Sequence, residues 1–221
     1  MHQLYMIRVN WCERVLIMQW SELKCELGVA LNESDLLGVE VDAIRRIAAA
    51  TFRVFTLPES GPAPEDRRVQ MIFRPVGRVV ASLRHGHWND SAALVEKFEL
   101  SQLLEVVQRF RGQPIYGWEF FDQHEKELAK WGDRLSLDWQ SGADGLSRSI
   151  TLFQESFGPK PMILDLCIWF DELEVRRPDG KIIPLEDFAT DGRRWWDNLF
   201  AGDRRAQNQG IIPLSSENDD T

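Results

Sequence analysis

The chain has 221 residues, 26 Lys and Arg against 35 Asp and Glu, a formal net charge of −9 and 43% hydrophobic residues. That length and apolar content support a folded core and exclude a disordered chain, and the negative balance disfavours nucleic-acid binding by the chain as a whole, because phosphates are repelled. The charge is uneven: residues 38–116 hold 11 basic and 9 acidic groups, whereas residues 117–221 hold 12 and 21.

Cys12, Cys25 and Cys167 are too few and too far apart for a disulfide framework or a zinc site, and they fit a reducing cytoplasm. No apolar run approaches the ~18 residues of a membrane span. The opening "MHQLYMIRVNWCERVLIMQW" is interrupted by Arg8, Asn10, Glu13 and Arg14, unlike a signal peptide. Globular patterning begins after about Gln19. Residues 1–17 are therefore expected to be an extension, with translation starting at Met18. Residues 18–214 are expected to form a single domain, with a candidate subdomain break near 85–100, and the acidic tail "SSENDDT" (215–221) to be disordered.

In chain order, strands are expected over 36–42 and 48–57, around a turn at Arg45–Arg46. "AIRRIAAA" favours helix by propensity, but "TFRVFTL" is rich in β-branched and aromatic residues. "PESGPAPEDRR" (58–68) is a loop. In "VQMIFRPVGRVVASLR" (69–84), Val69, Met71, Phe73, Val79, Ala81 and Leu83 share one parity. Gln70, Arg74, Arg78, Ser82 and Arg84 share the other, which predicts a strand with one wet face. Pro75 and Gly77 predict that it lies at a sheet edge or is split in two.

"HGHWNDSAA" (85–93) is a connector. "LSQLLEVVQRFRG" (100–112) predicts a helix capped by Ser101, with Leu103, Leu104, Val107 and Phe110 inward and Gly112 just past its end. "PIYGWEFF" (114–121) reads as a strand whose aromatics, Tyr116, Trp118 and Phe120 among them, pack in the core, and "EKELAKWGDR" (125–134) as a short helix. "RLSLDW" (134–139) and "SRSITLFQES" (147–156) read as a hairpin joined by "QSGADGL".

"MILDLCIWFDELEV" (162–175) is a long strand that turns through Pro178 and Gly180 into a return strand, "KIIPL" (181–185). Leu166, Ile168 and Phe170 share one parity, Leu173 and Val175 the other. Either a bulge near Asp171–Glu172 switches the register, or the strand is central and buried on both faces up to Phe170. In "GRRWWDNLFAGD" (192–203) helical spacing puts Phe188, Gly192, Trp195, Trp196 and Leu199 on one face. Arg193 and Asp197 pair on the other face, and Gly202 ends the helix. The Trp pair thus reads as a core anchor rather than a ligand platform. The fold class is α+β: a mainly antiparallel β-sheet with two or three amphipathic helices packed on it.

The sequence holds no P-loop, no GxGxxG, no GxSxG, no HExxH and no local signature of a nucleophilic cysteine. Three groups are candidate binding positions. Arg74, Arg78 and Arg84, preceded by Arg67 and Arg68, suit a phosphate or an acidic partner, and equally suit cross-strand pairing. His85 and His87, with Trp88 beside them, have the spacing of two metal ligands on one strand face but lack a third. Asp171, Glu172 and Glu174, with Asp165, line one strand as nuclease carboxylates do, but without the accompanying Lys. No cofactor and no metal are expected.

The leading expectation is a cytoplasmic, non-enzymatic protein-binding module whose acidic surface, rich in tryptophan (nine in the chain), takes a basic protein partner, as an antitoxin or immunity protein would. Neither nucleic acid nor membrane is expected as a partner. The alternatives are an enzyme of unfamiliar type using the strand carboxylates, with or without a metal, and a structural subunit that forms a homo-oligomer.

Overall fold

The computed structural model describes residues 19–123, 132–142 and 146–206. The expected extension at 1–17 and the acidic tail lie outside the described residues, as does most of the helix expected at 125–134, of which residues 132–134 form a single 3₁₀ turn. Within them, eight strands form one antiparallel sheet: β1 (Asp35–Asp42), β2 (Ile47–Arg53), β3 (Arg68–His85), β4 (Leu94–Glu96), β5 (Leu137–Gln140), β6 (Arg148–Ser156), β7 (Met162–Arg176) and β8 (Ile182–Ile183). The main order is β1-β2-β3-β7-β6, with β4 and β5 paired to β3 and β8 paired to β7. Among the described residues three α-helices accompany it: α1 (Trp20–Leu31), α2 (Leu103–Gln108) and α3 (Leu185–Phe200). This is the α+β class expected from the sequence.

The β1–β2 turn follows from its residues. The Asp42 carboxylate accepts the N–H groups of Ile44 and Arg45 at 3.0 and 2.8 Å, a local bond that Asp is suited to make, and Arg46 takes the positive φ. β2 ends at Arg53 rather than 57, because Phe55 and Leu57 leave the sheet to pack with Trp195, Trp196 and Leu199 in a second hydrophobic cluster.

β3 is the largest departure from expectation. It is neither an edge nor split, but one central strand, paired with β7 from Gln70 to His85. Pro75 is tolerated because the partner on the other side changes there. β2 pairs with β3 up to Phe73, and β5 takes over from Arg78. The missing N–H of Pro75 thus falls where the sheet forks, and no ladder bond is lost to it. Backbone bonds fill the fork: Val76 N–H donates to the Arg46 carbonyl at 2.7 Å, and Ser141 N–H to the Gly77 carbonyl at 2.8 Å. The one-residue register shift lies in β3 between Val76 and Arg78, not in β7. β7 is central, with Ile163, Leu164, Leu166, Cys167, Ile168 and Phe170 all buried across both faces.

The remaining differences concern partners. β5 and β6 do not form a hairpin; β5 joins β3 and β6 joins β7. Residues 114–121 form no strand, only isolated bridges of Pro114 to Asp35, Ile115 to Gln154 and Phe121 to Ile150, so they touch β1 and skirt β6 without extending the sheet. α2 covers 103–108, preceded by a 3₁₀ turn. It is that turn which is capped, by Glu99 and Gln102 bonding reciprocally, and Ser101 caps neither element.

α1 adds an element where none is expected, although Leu23, Leu27, Ala30 and Leu31 do recur at helical spacing and are buried. α3 buries the face read from the sequence: Phe188, Gly192, Trp195, Trp196 and Leu199. On its exposed side Arg193 pairs with Glu26 of α1, at 2.7 Å for the Nη2 bond, and not with Asp197. The two helices are in close contact. A Cβ on Gly192 would overlap Ala30 of α1, and one on Gly28 would overlap the Trp118 carbonyl.

Candidate functional site

Away from the main core, β3 presents Arg78, Val80, Ser82 and Arg84, opposite Trp169, Cys167, Asp165 and Ile163 of β7. The arginine stripe lies here, and it pairs across strands. Arg78 makes two bonds to Asp138 of β5, at 2.9 and 2.8 Å, and its guanidinium lies 5.4 Å from the Trp169 ring. Those bonds hold the Asp138 carboxyl below its usual range. Arg74 reaches Glu172 and Glu174 of β7, each at 3.3 Å, and Glu174 also binds Arg176. Arg84 binds Asp165, and both side chains are largely buried, with 12% and 15% of their surface exposed. Burial pushes the Asp165 carboxyl up against the pull of Arg84.

The strand carboxylates are therefore engaged. Glu172, Glu174 and Asp165 carry arginines, and Asp171 accepts the N–H and hydroxyl of Ser147, at 3.0 and 3.3 Å. At the end of β3, His85 bonds Glu96 at 2.7 Å, and Glu96 also takes Arg109 at 2.6 Å, the contact that does most to hold its carboxyl low. His87, past the bend at Gly86, lies 3.7 Å from Glu155, which also accepts the Trp88 N–H at 3.3 Å. The two histidines thus engage different carboxylates, and among the described residues no three His, Cys, Asp or Glu side chains converge as metal ligands. Trp88 is exposed.

The chain matches no known protein family, no curated protein and no solved structure.

The geometry holds a feature the sequence reading passed over. Trp196 is buried, but its ring meets Trp118 at 5.7 Å and Phe200 at 5.9 Å, and those two are 54% and 68% exposed. Of the aromatics at 114–121, Phe120 and Phe121 pack inside, while Tyr116 and Trp118, also expected in the core, are exposed. The Trp196 indole donates to the Val29 carbonyl of α1 at 3.0 Å, which fixes the middle ring. The positions were visible in the sequence. What was not visible is that residue 118 folds back beside the last turns of α3, because Trp118 and Trp196 lie 78 positions apart in the sequence.

The cysteines give a direct check on burial. Cys25 is exposed on α1, whereas Cys167 is buried beside Thr151 and its thiol is pushed up to about 12 by burial. Alkylation of the native protein near pH 8, read by peptide mass mapping, will modify Cys25 and spare Cys167 until the chain is unfolded. Modification of Cys167 at the rate of Cys25 would contradict this packing of β7. No helix among the described residues is long and apolar enough to cross a membrane.

Proposed function

We propose that this chain is a protein-binding module that docks a basic protein through Trp118, Trp196 and Phe200. The observation that carries the reading is the row of three aromatic rings, open to solvent at both ends and fixed in the middle. Exposed aromatic clusters are uncommon on surfaces that bind nothing, and Trp is enriched among the residues that dominate interface energies.

Charge indicates the kind of partner. The patch belongs to the acidic part of the chain, residues 117–221, with 21 acidic and 12 basic groups. Glu119 adjoins Trp118, and Asp197 lies one turn before Phe200; both are exposed. Such a rim steers a cationic partner and gives its rings somewhere to anchor. An inhibitory role toward a basic, nucleic-acid-acting toxin, as in antitoxin or immunity proteins, is one form this function takes.

The test is co-purification at low salt from the native host, using wild type, a Trp118→Ala/Phe200→Ala double variant and Trp88→Ala as an exposed control. The expected result is a stoichiometric basic protein, released by salt, bound by wild type and control and at least about tenfold more weakly by the double variant. Both mutated side chains are exposed, so the fold is retained. Equal binding by the double variant, or no basic partner at all, would overturn the proposal.

A further inference from the structure

β2 and β3 are paired to their ends, with Arg53 opposite Arg68, so a turn of two residues would close the hairpin. Residues 54–67 intervene instead. Connections beyond about 12–15 residues without secondary structure of their own are uncommon and usually functional.

This one is firmly held. Phe55 stacks on Trp195 with centroids 4.5 Å apart. Leu57 is fully buried; its N–H donates to the Asp191 carbonyl at 3.0 Å, and its own carbonyl accepts Arg194 at 2.8 Å.

Together with the β7–β8 turn and the first turns of α3, the loop bounds a cavity of about 460 Å³. That is within the range of about 300–1,000 Å³ usual for small-molecule sites. Its apolar wall includes Val54, Val69, Ile183 and Phe188, and its charged lining includes Arg67, Arg68, Arg177 and Asp191.

The charges are not equally available. Asp66 holds Arg68 through bonds of 2.9 and 2.7 Å, which bring its carboxyl down to about 2. Asp179 is used within its own turn, accepting the Lys181 N–H at 3.0 Å, and Asp191 binds Arg194. Arg67 and Arg177 make no contact ion pair among the described residues, although Arg177 acts through space on Asp191 and Asp35 on Arg67. The Arg67 guanidinium lies 5.1 Å from the Phe55 ring, and its Nη1 is shut off from solvent with no hydrogen-bond acceptor. A buried donor in that state is rare in native proteins, and a ligand oxyanion is the natural acceptor for it.

We infer that this cavity binds a small organic anion, its carboxylate or phosphate held by Arg67 and Arg177 and its apolar body lying against Val69, Ile183 and Phe188. None of the lining residues belongs to the aromatic patch, so this site is independent of the docking surface above.

Titration calorimetry of the whole chain with phenyl phosphate, benzoate and inorganic phosphate tests it. The expected result is saturable one-to-one binding of phenyl phosphate, benzoate or both, tighter than that of inorganic phosphate. Phenyl phosphate alone identifies a phosphate ligand, and benzoate alone a carboxylate. Arg67→Gln and Arg177→Gln each weaken binding about tenfold, while the exposed Arg111→Gln leaves it unchanged. Arg177 sits on an exposed turn, so its variant keeps the fold even where Arg67→Gln disturbs it. Failure of all three compounds to bind saturably, or an unchanged affinity in Arg177→Gln, would overturn the inference.

Discussion

Truncating Trp195 to alanine will lower the free energy of unfolding by about 3–5 kcal/mol, the usual cost of removing a large aromatic side chain from a core. Trp195 is 1% exposed, stacked on Phe55 and set edge-on to Trp196 at 5.0 Å. Its loss would empty the centre of the second cluster and unseat both the 54–67 loop and α3. Urea unfolding followed by far-UV dichroism measures the effect. Phe200→Ala, on the same helix but exposed, should stay within about 0.5 kcal/mol of wild type. Similar losses for the two variants would show that the helix does not present the face described.

Asp165→Ala will cost about 3–5 kcal/mol for a different reason: it leaves the Arg84 charge buried without a counter-ion. Arg84 already has an Nε with no hydrogen-bond partner, so little around it can compensate. The double replacement Asp165→Leu/Arg84→Leu should recover most of the loss, since a buried pair exchanged for apolar side chains is often neutral or stabilising. Equilibrium unfolding of the single and double variants decides the matter. A single variant as stable as wild type would mean that solvent reaches the pair.

Periodicity in the sequence identified the long strands of the sheet and the buried face of α3, because each is a local pattern written in side-chain parity or helical spacing, but it missed the three-residue β4 and took 114–121 for a strand. It did not identify partners. The edge reading of Pro75 assumes one neighbour along the whole strand, whereas the sheet exchanges β2 for β5 at that point. The hairpin expected between β5 and β6 fails in the same way: proximity in sequence suggested a pairing, and β3 and β7 each took one strand. The candidate positions behave alike. Arg74, Arg78 and Arg84 were legible as a stripe, but their acceptors Glu172, Asp138 and Asp165 lie 60 to 98 residues away. Cross-strand pairing had been one of the two readings of that stripe. The aromatic patch and the cavity are assembled entirely from such distant pieces.

The absence of room for a Cβ where α1 meets α3 has a consequence for how the protein is made. The first described helix docks on the last one, with Ala30 against Gly192. A ribosome releases α1 early, and the side of it that meets α3 then waits for a counterpart that appears only after the whole sheet has been synthesised. Contacts of such long sequence separation are slow to form and leave apolar surface uncovered in the meantime. Closure of the α1–α3 seam thus waits for the end of synthesis, and a truncation before Gly192 leaves that side of α1 uncovered while Leu23, Leu27 and Leu31 can still join the core of the sheet.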